Sequence, residues 1–204
     1  MLLVVIIIFS IAIFFGGKIS SHKKNYFVSN YIISLENIKI KLFNREILNN
    51  ISSMLIDDKK VNITNYFIFK NKGIHKVEVF LKNELTSMEK LFRDCSNLIE
   101  VDLSKLITTK VTTFAEMFYN CYLLFSIDLS KLNTSKVRNM SNLFDGCFNL
   151  ESINLKKIDT SKVKDMNYMF YSCVNLKSLD LRSFNTSKVK NMTGLFIIVI
   201  HYLI

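Results

Sequence analysis

The chain of 204 residues contains no proline and no tryptophan, only five glycines and three histidines, and its four cysteines all fall at one repeated position. So few glycines leave no glycine-rich loop of the kind that cradles nucleotide phosphates. The histidines, His22, His75 and His201, lie in the stretch after the first apolar run, in an expected hairpin and in the tail. None shares a register with a cysteine or serine that it could activate, and no histidine metal motif occurs. Enzymatic activity is therefore not expected, and no catalytic, metal or cofactor-binding residue is assigned. The absence of proline and tryptophan, set beside many Asn, Lys and Ile, reads as the coding bias of an AT-rich genome.

What is present is basic and apolar. Lys and Arg outnumber Asp and Glu 27 to 17, a formal charge of +10, and half the residues are hydrophobic. The excess favours anionic partners: acidic glycans, anionic lipid or nucleic acid. Nucleic acid is the unfavoured member, because the chain lacks the aromatic stacking surface such binders use. Met1 to Phe15 is almost unbroken in its apolar character. As a helix it reaches roughly 21 Å, short of the hydrocarbon core of about 30 Å. A signal peptide fits best, with an uncleaved membrane anchor as the alternative, which makes the expected location secreted or cell-surface. The chain divides into that leader (1–20), a non-repeat region with a cap hairpin (21–71), a repeat region (72–196) and an apolar tail (197–204).

In the non-repeat region Tyr31, Leu35, Ile38 and Leu42, then Ile47, Ile51 and Met54, recur at nearer to helical than strand spacing. A helix is expected there, with a strand through Ile38, Ile40 and Leu42 as the alternative. Val61 to Lys70 and Ile74 to Lys82 are rich in β-branched and aromatic residues around Asn71-Lys72-Gly73, which predicts a hairpin. From there a 26-residue step takes over. Cys95, Cys121, Cys147 and Cys173 keep it, as do Phe92, Phe118, Phe144, Phe170 and Phe196, and Leu98, Leu124, Leu150 and Leu176. A fixed step of this length means stacked units whose equivalent positions form ladders. Stepping back from Leu103, Leu106, Val111, Phe114 and Met117 reaches Val77, Phe80, Leu85, Met88 and Leu91, so a degenerate first unit is expected to begin at Lys72. Each unit reads as a strand such as Ile127-Asp128-Leu129, a second extended piece around Val137, and a short helix carrying Met140, Leu143, Phe144 and Cys147 at i, i+3, i+4 and i+7.

The wording Leu-Lys-Ser-Leu-Asp-Leu-Arg-Ser-Phe-Asn-Thr-Ser-Lys-Val-Lys-Asn-Met, preceded by Met-Asn-Tyr-Met-Phe-Tyr-Ser-Cys, resembles the BspA-type leucine-rich repeats of bacterial and protist surface proteins. That resemblance implies an α/β solenoid, a right-handed leucine-rich-repeat stack with parallel strands on one face and short helices on the other. It also implies adhesion, or protein or glycan binding, at a cell surface. A truncated, structural or non-functional member of an expanded repeat family is the alternative.

Two outward faces are candidates for binding. The strand face carries Asp102, Asp128, Asn154 and Asp180 with Ser126, Ser152 and Ser178. The second carries Lys110, Lys136, Lys162 and Lys188, with Arg138, Lys164 and Lys190 two residues on. The expected partner is a protein or an anionic glycan. The cysteines lie in a line rather than in converging pairs, so free, buried thiols are expected instead of zinc or disulfides.

Overall fold

The computed structural model describes residues 25–196. The leader Met1 to Phe15, His22, and the tail 197–204 with His201 lie outside the described residues.

The strands in chain order are β1 (Tyr26–Ile33), β2 (Ile38–Lys41), β3 (Ile51–Ile56), β4 (Lys59–Val61), β5 (Tyr66–Phe69), β6 (Gly73–Leu81), β7 (Leu98–Asp102), β8 (Ser126–Asp128) and β9 (Ser152–Asn154). In β1 every second residue is buried, Phe27, Ser29, Tyr31 and Ile33, which is the period of a strand lying on a core. The helix expected over this region is therefore corrected. Helical structure there is one short 3-10 helix, Arg45–Asn50, opened by Asn44, whose side chain accepts the Glu46 amide. The alternative strand through Ile38 and Ile40 is what forms. The expected hairpin is also corrected: its two arms exist as β5 and β6 but do not pair with each other. β5 pairs antiparallel with β2, while β6 lies between β1 and β3 in a five-stranded sheet of order β4-β3-β6-β1-β7. Val77, Val79 and Leu81 of β6 are buried on one stripe, and burying that stripe decides its neighbours.

From Thr86 onward the chain runs as stacked rungs 26 residues apart. Met88, Lys90, Phe92 and Asp94 donate their amides to the carbonyls of Thr113, Ala115, Met117 and Tyr119 in the next rung. Phe114, Glu116, Phe118 and Asn120 do the same to Asn139, Ser141, Leu143 and Asp145, at 2.8–3.0 Å. The residues between them bond locally, Met117 to Phe114, Tyr119 to Glu116 and Cys121 to Phe118, all at 3.1 Å. An α-helix would send every amide to the carbonyl four residues back. Here alternate amides leave for the neighbouring rung. The backbone at Glu116 (φ 56°), Asn120 (58°), Asn142 (52°) and Gly146 (75°) is left-handed, and the same two positions are left-handed at Lys90 and Asp94 and at Tyr168 and Ser172. L-residues do not string such conformations into a helix, so the i, i+3, i+4, i+7 pattern is met by consecutive turns.

The α/β leucine-rich-repeat solenoid is therefore not the fold. No α-helix covers a face among the described residues, the largest sheet is antiparallel, and parallel pairing is confined to β8 with β9 and to isolated bridges linking Thr113, Asn139, Asp165 and Asn191. Of the expected first unit, Thr86 to Cys95 bond as a rung, whereas Gly73–Leu81 belongs to the antiparallel sheet.

The ladders are the core. Phe92, Phe118, Phe144, Phe170 and Phe196 stack ring on ring with centroids 5.5, 5.6, 5.9 and 6.1 Å apart and planes within 12°. Phe92, Phe118, Phe144 and Phe170 are fully buried, while Phe196 is partly exposed; full burial of a ring contributes about 1.5–3 kcal/mol, and the ring pairing adds about 0.5–1.5 kcal/mol. Phe27 of β1 meets Phe92 edge-on at 5.3 Å, which joins the sheet to the stack in one continuous core. A polar ladder runs beside it: the buried hydroxyls of Thr108, Thr134 and Thr160 each donate to the carbonyl, and accept the amide, of Asn133, Asp159 and Asn185 in the next rung.

Candidate ligand-binding surface

The cysteine ladder lies fully inside. All four cysteines are free and buried, and the thiols of Cys121, Cys147 and Cys173 donate to the carbonyls of Phe92, Phe118 and Phe144 one rung back, at 3.1, 3.1 and 3.2 Å. Burial pushes the Cys173 thiol up to about 12 and lifts the other three as well. A thiol so held is a small apolar filler with a weak donor, not a nucleophile.

On the strand face the acidic row has a local task. Asp102, Asp128, Asn154 and Asp180 each accept, through the side chain, the amide two residues on, at Ser104, Ser130, Lys156 and Arg182, over 2.7–3.2 Å. These are Asx turns, and those at Asp102, Asp128 and Asn154 end β7, β8 and β9. Burial raises the Asp128 carboxyl, but its bonds from Ser130 outweigh this and hold it below the usual range. Arg182 grips Asp180 through Nε and a terminal nitrogen at 2.9 and 2.7 Å, which holds that carboxyl far below the usual range. Ser126 and Ser152 face each other in register on β8 and β9, and Ser178 follows one step on; Ser152 and Ser178 are exposed.

The basic face is brought together as rows. Arg138 donates its amide to the Thr112 carbonyl, Lys164 to Arg138 and Lys190 to Lys164, at 2.8, 2.8 and 2.7 Å. Val111, Val137 and Val163 point fully inward, so Lys110, Lys136 and Lys162 on one side of them, and Arg138 and Lys164 on the other, point out and are exposed; Lys188 and Lys190 continue both rows. Among the described residues none of these seven cations makes an ion pair with a carboxylate. Like charges about 5 Å apart in water repel by only about 0.8 kcal/mol, so long flexible side chains carry the row at small cost.

One feature escaped the reading of the sequence. Tyr122 and Phe148 stack in parallel at 5.2 Å while 39 and 44 % exposed, and Phe125, beside Ser126, is 47 % exposed. Phe125 and Glu151 hold one backbone row, Glu151 donating its amide to the Phe125 carbonyl at 2.9 Å. Tyr122 and Phe148 share one register position that is Ser96 and Val174 in the neighbouring rungs. That position breaks from the inward ladders, and this was the signal available.

Fold and surface together define a β-rich repeat protein whose turn rungs hold a buried ladder and present ordered rows of side chains. The chain belongs to the family described as Mycoplasma protein of unknown function, DUF285, which matches residues 24–147 and 86–200. The assignment to BspA-type leucine-rich repeats is corrected accordingly, and the surface-protein and adhesion reading that came with it loses that support. No curated protein and no solved structure matches the chain.

Proposed function

We propose that this protein is a recognition module, not an enzyme, that binds an acidic glycan along its basic rows outside the cell or at the cell surface. The observation that carries the reading is the set of exposed cations Lys110, Lys136, Arg138, Lys162, Lys164, Lys188 and Lys190, of which Arg138, Lys164 and Lys190 are joined rung to rung by backbone bonds, all unpaired with carboxylates among the described residues. A linear polyanion offers charges at a repeat that such rows can follow, and a point-charge lysine suits sulfate or carboxylate without a fixed fork. The apolar run Met1 to Phe15 supports the location.

Heparin affinity measured at rising salt tests it. Retention is expected to weaken steeply with ionic strength, since exposed charges are screened over about 8–10 Å at physiological salt, and to fall about tenfold or more when Lys136, Lys162 and Lys188 are all changed to Glu. Binding indifferent to salt, or unchanged in that variant, removes the proposal.

A further inference from the structure

We propose that a second, separate site lies where the β2–β5 pair meets the first rung, and that it takes a single acidic sugar unit, a hydroxylated ring bearing a carboxylate. It deepens the acidic-glycan reading by naming a unit that the glycan would contain. A cleft of about 340 Å³ opens there, bordered by Lys39, Lys41 and Tyr66 from the strand pair and by Asp94, Ser96 and Asn97 from the rung. That volume lies at the small end of ligand pockets, about 300–1,000 Å³, which suits one sugar ring rather than an extended chain.

The lining is charged and already oriented. The Lys39 ammonium sits 5.0 Å from the centre of the Tyr66 ring, so the aromatic face fixes a cation at the cleft wall without neutralising it. Among the described residues Lys39 makes no ion pair. Lys41 donates to the Arg93 carbonyl at 2.5 Å, which tethers its ammonium at the cleft while two of its three donors remain. Asp94 is in the left-handed region (φ 59°), and its carboxylate accepts the Asn120 side-chain amide at 3.0 Å with the Arg93 Nε 3.4 Å away. A carboxylate held in this way keeps lone pairs for donors from a ligand. Ser96 is exposed and adds a hydroxyl, and Asn97 is fixed by donating to the Ile32 carbonyl at 2.9 Å.

Two cations and one carboxylate at one cleft select against a simple anion and against a neutral sugar alike. A bare anion gains from Lys39 and Lys41 but meets Asp94. A neutral sugar gives hydroxyls to Asp94 and Ser96 but leaves the cations unanswered. A uronate satisfies both, its carboxylate toward the lysines and its hydroxyls toward Asp94 and Ser96.

The test is titration of the whole chain with glucuronate, followed by amide and lysine Nζ NMR shifts, with glucose and acetate in parallel. Saturable shifts centred on residues 39, 41, 66, 94 and 96 are expected for glucuronate, with a Kd of about 1 mM, as befits a small ligand held by a few charged hydrogen bonds. Lys39→Gln and Asp94→Asn, both at exposed positions, are each expected to weaken it about tenfold. Lys136→Glu/Lys162→Glu/Lys188→Glu is expected to leave glucuronate binding intact while lowering heparin binding about tenfold or more, so heparin binding unchanged in that variant counts against the basic rows and not against the cleft. Acetate or glucose binding as tightly as glucuronate, shifts centred elsewhere, or glucuronate binding unchanged in Lys39→Gln would overturn the assignment.

Discussion

At the scale of the residue, the rungs hold one carboxylate in an unfavourable place. Asp145 occupies the register position that is Tyr119 and Tyr171 in the rungs on either side, and burial lifts its carboxyl from the ordinary range near 4 to about 6. Above about pH 6 the folded state carries an ionised Asp145 that is poorly solvated, while the unfolded chain carries the same charge in water, so folding bears a penalty. As the pH falls through about 6 the folded carboxyl takes up its proton first and the penalty is relieved. The gain is complete near pH 4, where the unfolded carboxyl protonates too. Asp145→Asn removes the penalty at every pH. It is expected to stabilise the protein by about 1 kcal/mol at pH 7.5, a figure reduced for the side chain's partial exposure to solvent, and to be close to neutral at pH 4. Urea melts of both proteins at the two pH values check this; an Asn variant no more stable than the parent at pH 7.5 would show that Asp145 is as well solvated folded as unfolded.

At the scale of the element, the inter-rung bonds set the rung's shape, and the threonine ladder is where they are least replaceable. The Thr134 hydroxyl, 2 % exposed as a residue, donates to the Asp159 carbonyl at 3.1 Å and accepts the Asp159 amide at 2.8 Å. Valine keeps the shape and strands both backbone groups in a dry site, each costing about 1–3 kcal/mol. Thr134→Val is therefore expected to lose about 2–4 kcal/mol by denaturant melting, and Thr134→Ser much less; equal losses in the two would assign the effect to the methyl group. This element also shows why the sequence was legible in one respect and misleading in another. Phe118, Phe144 and Phe170 recur at one step, and that periodicity is sufficient to place them on one another. It is not sufficient to choose helix over turn, because two turns in succession bury Met140, Leu143, Phe144 and Cys147 just as two helical turns would. The residues that decide it are Asn120, Asn142 and Gly146, at φ 58°, 52° and 75°. Asn and Gly tolerate the left-handed region, and a Cβ on Gly146 would come within 2.6 Å of the Asn120 side-chain oxygen. In β1 the strand alternation was masked for a different reason: Ser29 is a polar residue at 0 % exposure in the buried stripe, so Phe27, Tyr31 and Ile33 look too widely spaced. The basic rows were legible because Val137 and Val163 must point inward and their neighbours therefore outward. The cleft was not, since Lys39 comes beside Tyr66 only through the pairing of β2 with β5, and the pair meets the rung of Asp94 and Ser96 only through tertiary contacts such as that of Lys41 with the Arg93 carbonyl.

At the scale of the whole molecule, the core is continuous but its support is uneven along the stack. Next to Cys95 the antiparallel sheet closes over the first rung, with β1 paired to β7 and Phe27 against Phe92. Beyond Cys173, the next set of inward positions, Leu179, Leu181, Phe184, Val189 and Leu195, is only partly buried. Stacked rungs gain most of their stability from the interfaces with their neighbours, so opening the rung of Cys173 gives up less buried apolar surface than opening the rung of Cys95. The thiols report this directly. Each is shielded from solvent in the folded state and unreactive until its rung opens. Under native conditions with excess thiol reagent, labelling is expected first at Cys173 and last at Cys95, with Cys121 and Cys147 between, as read by mass spectrometry of peptides at successive times. Four equal rates would mean that no rung opens without global unfolding, and labelling of Cys95 first would mean that the sheet, rather than the far rungs, is the weaker neighbour.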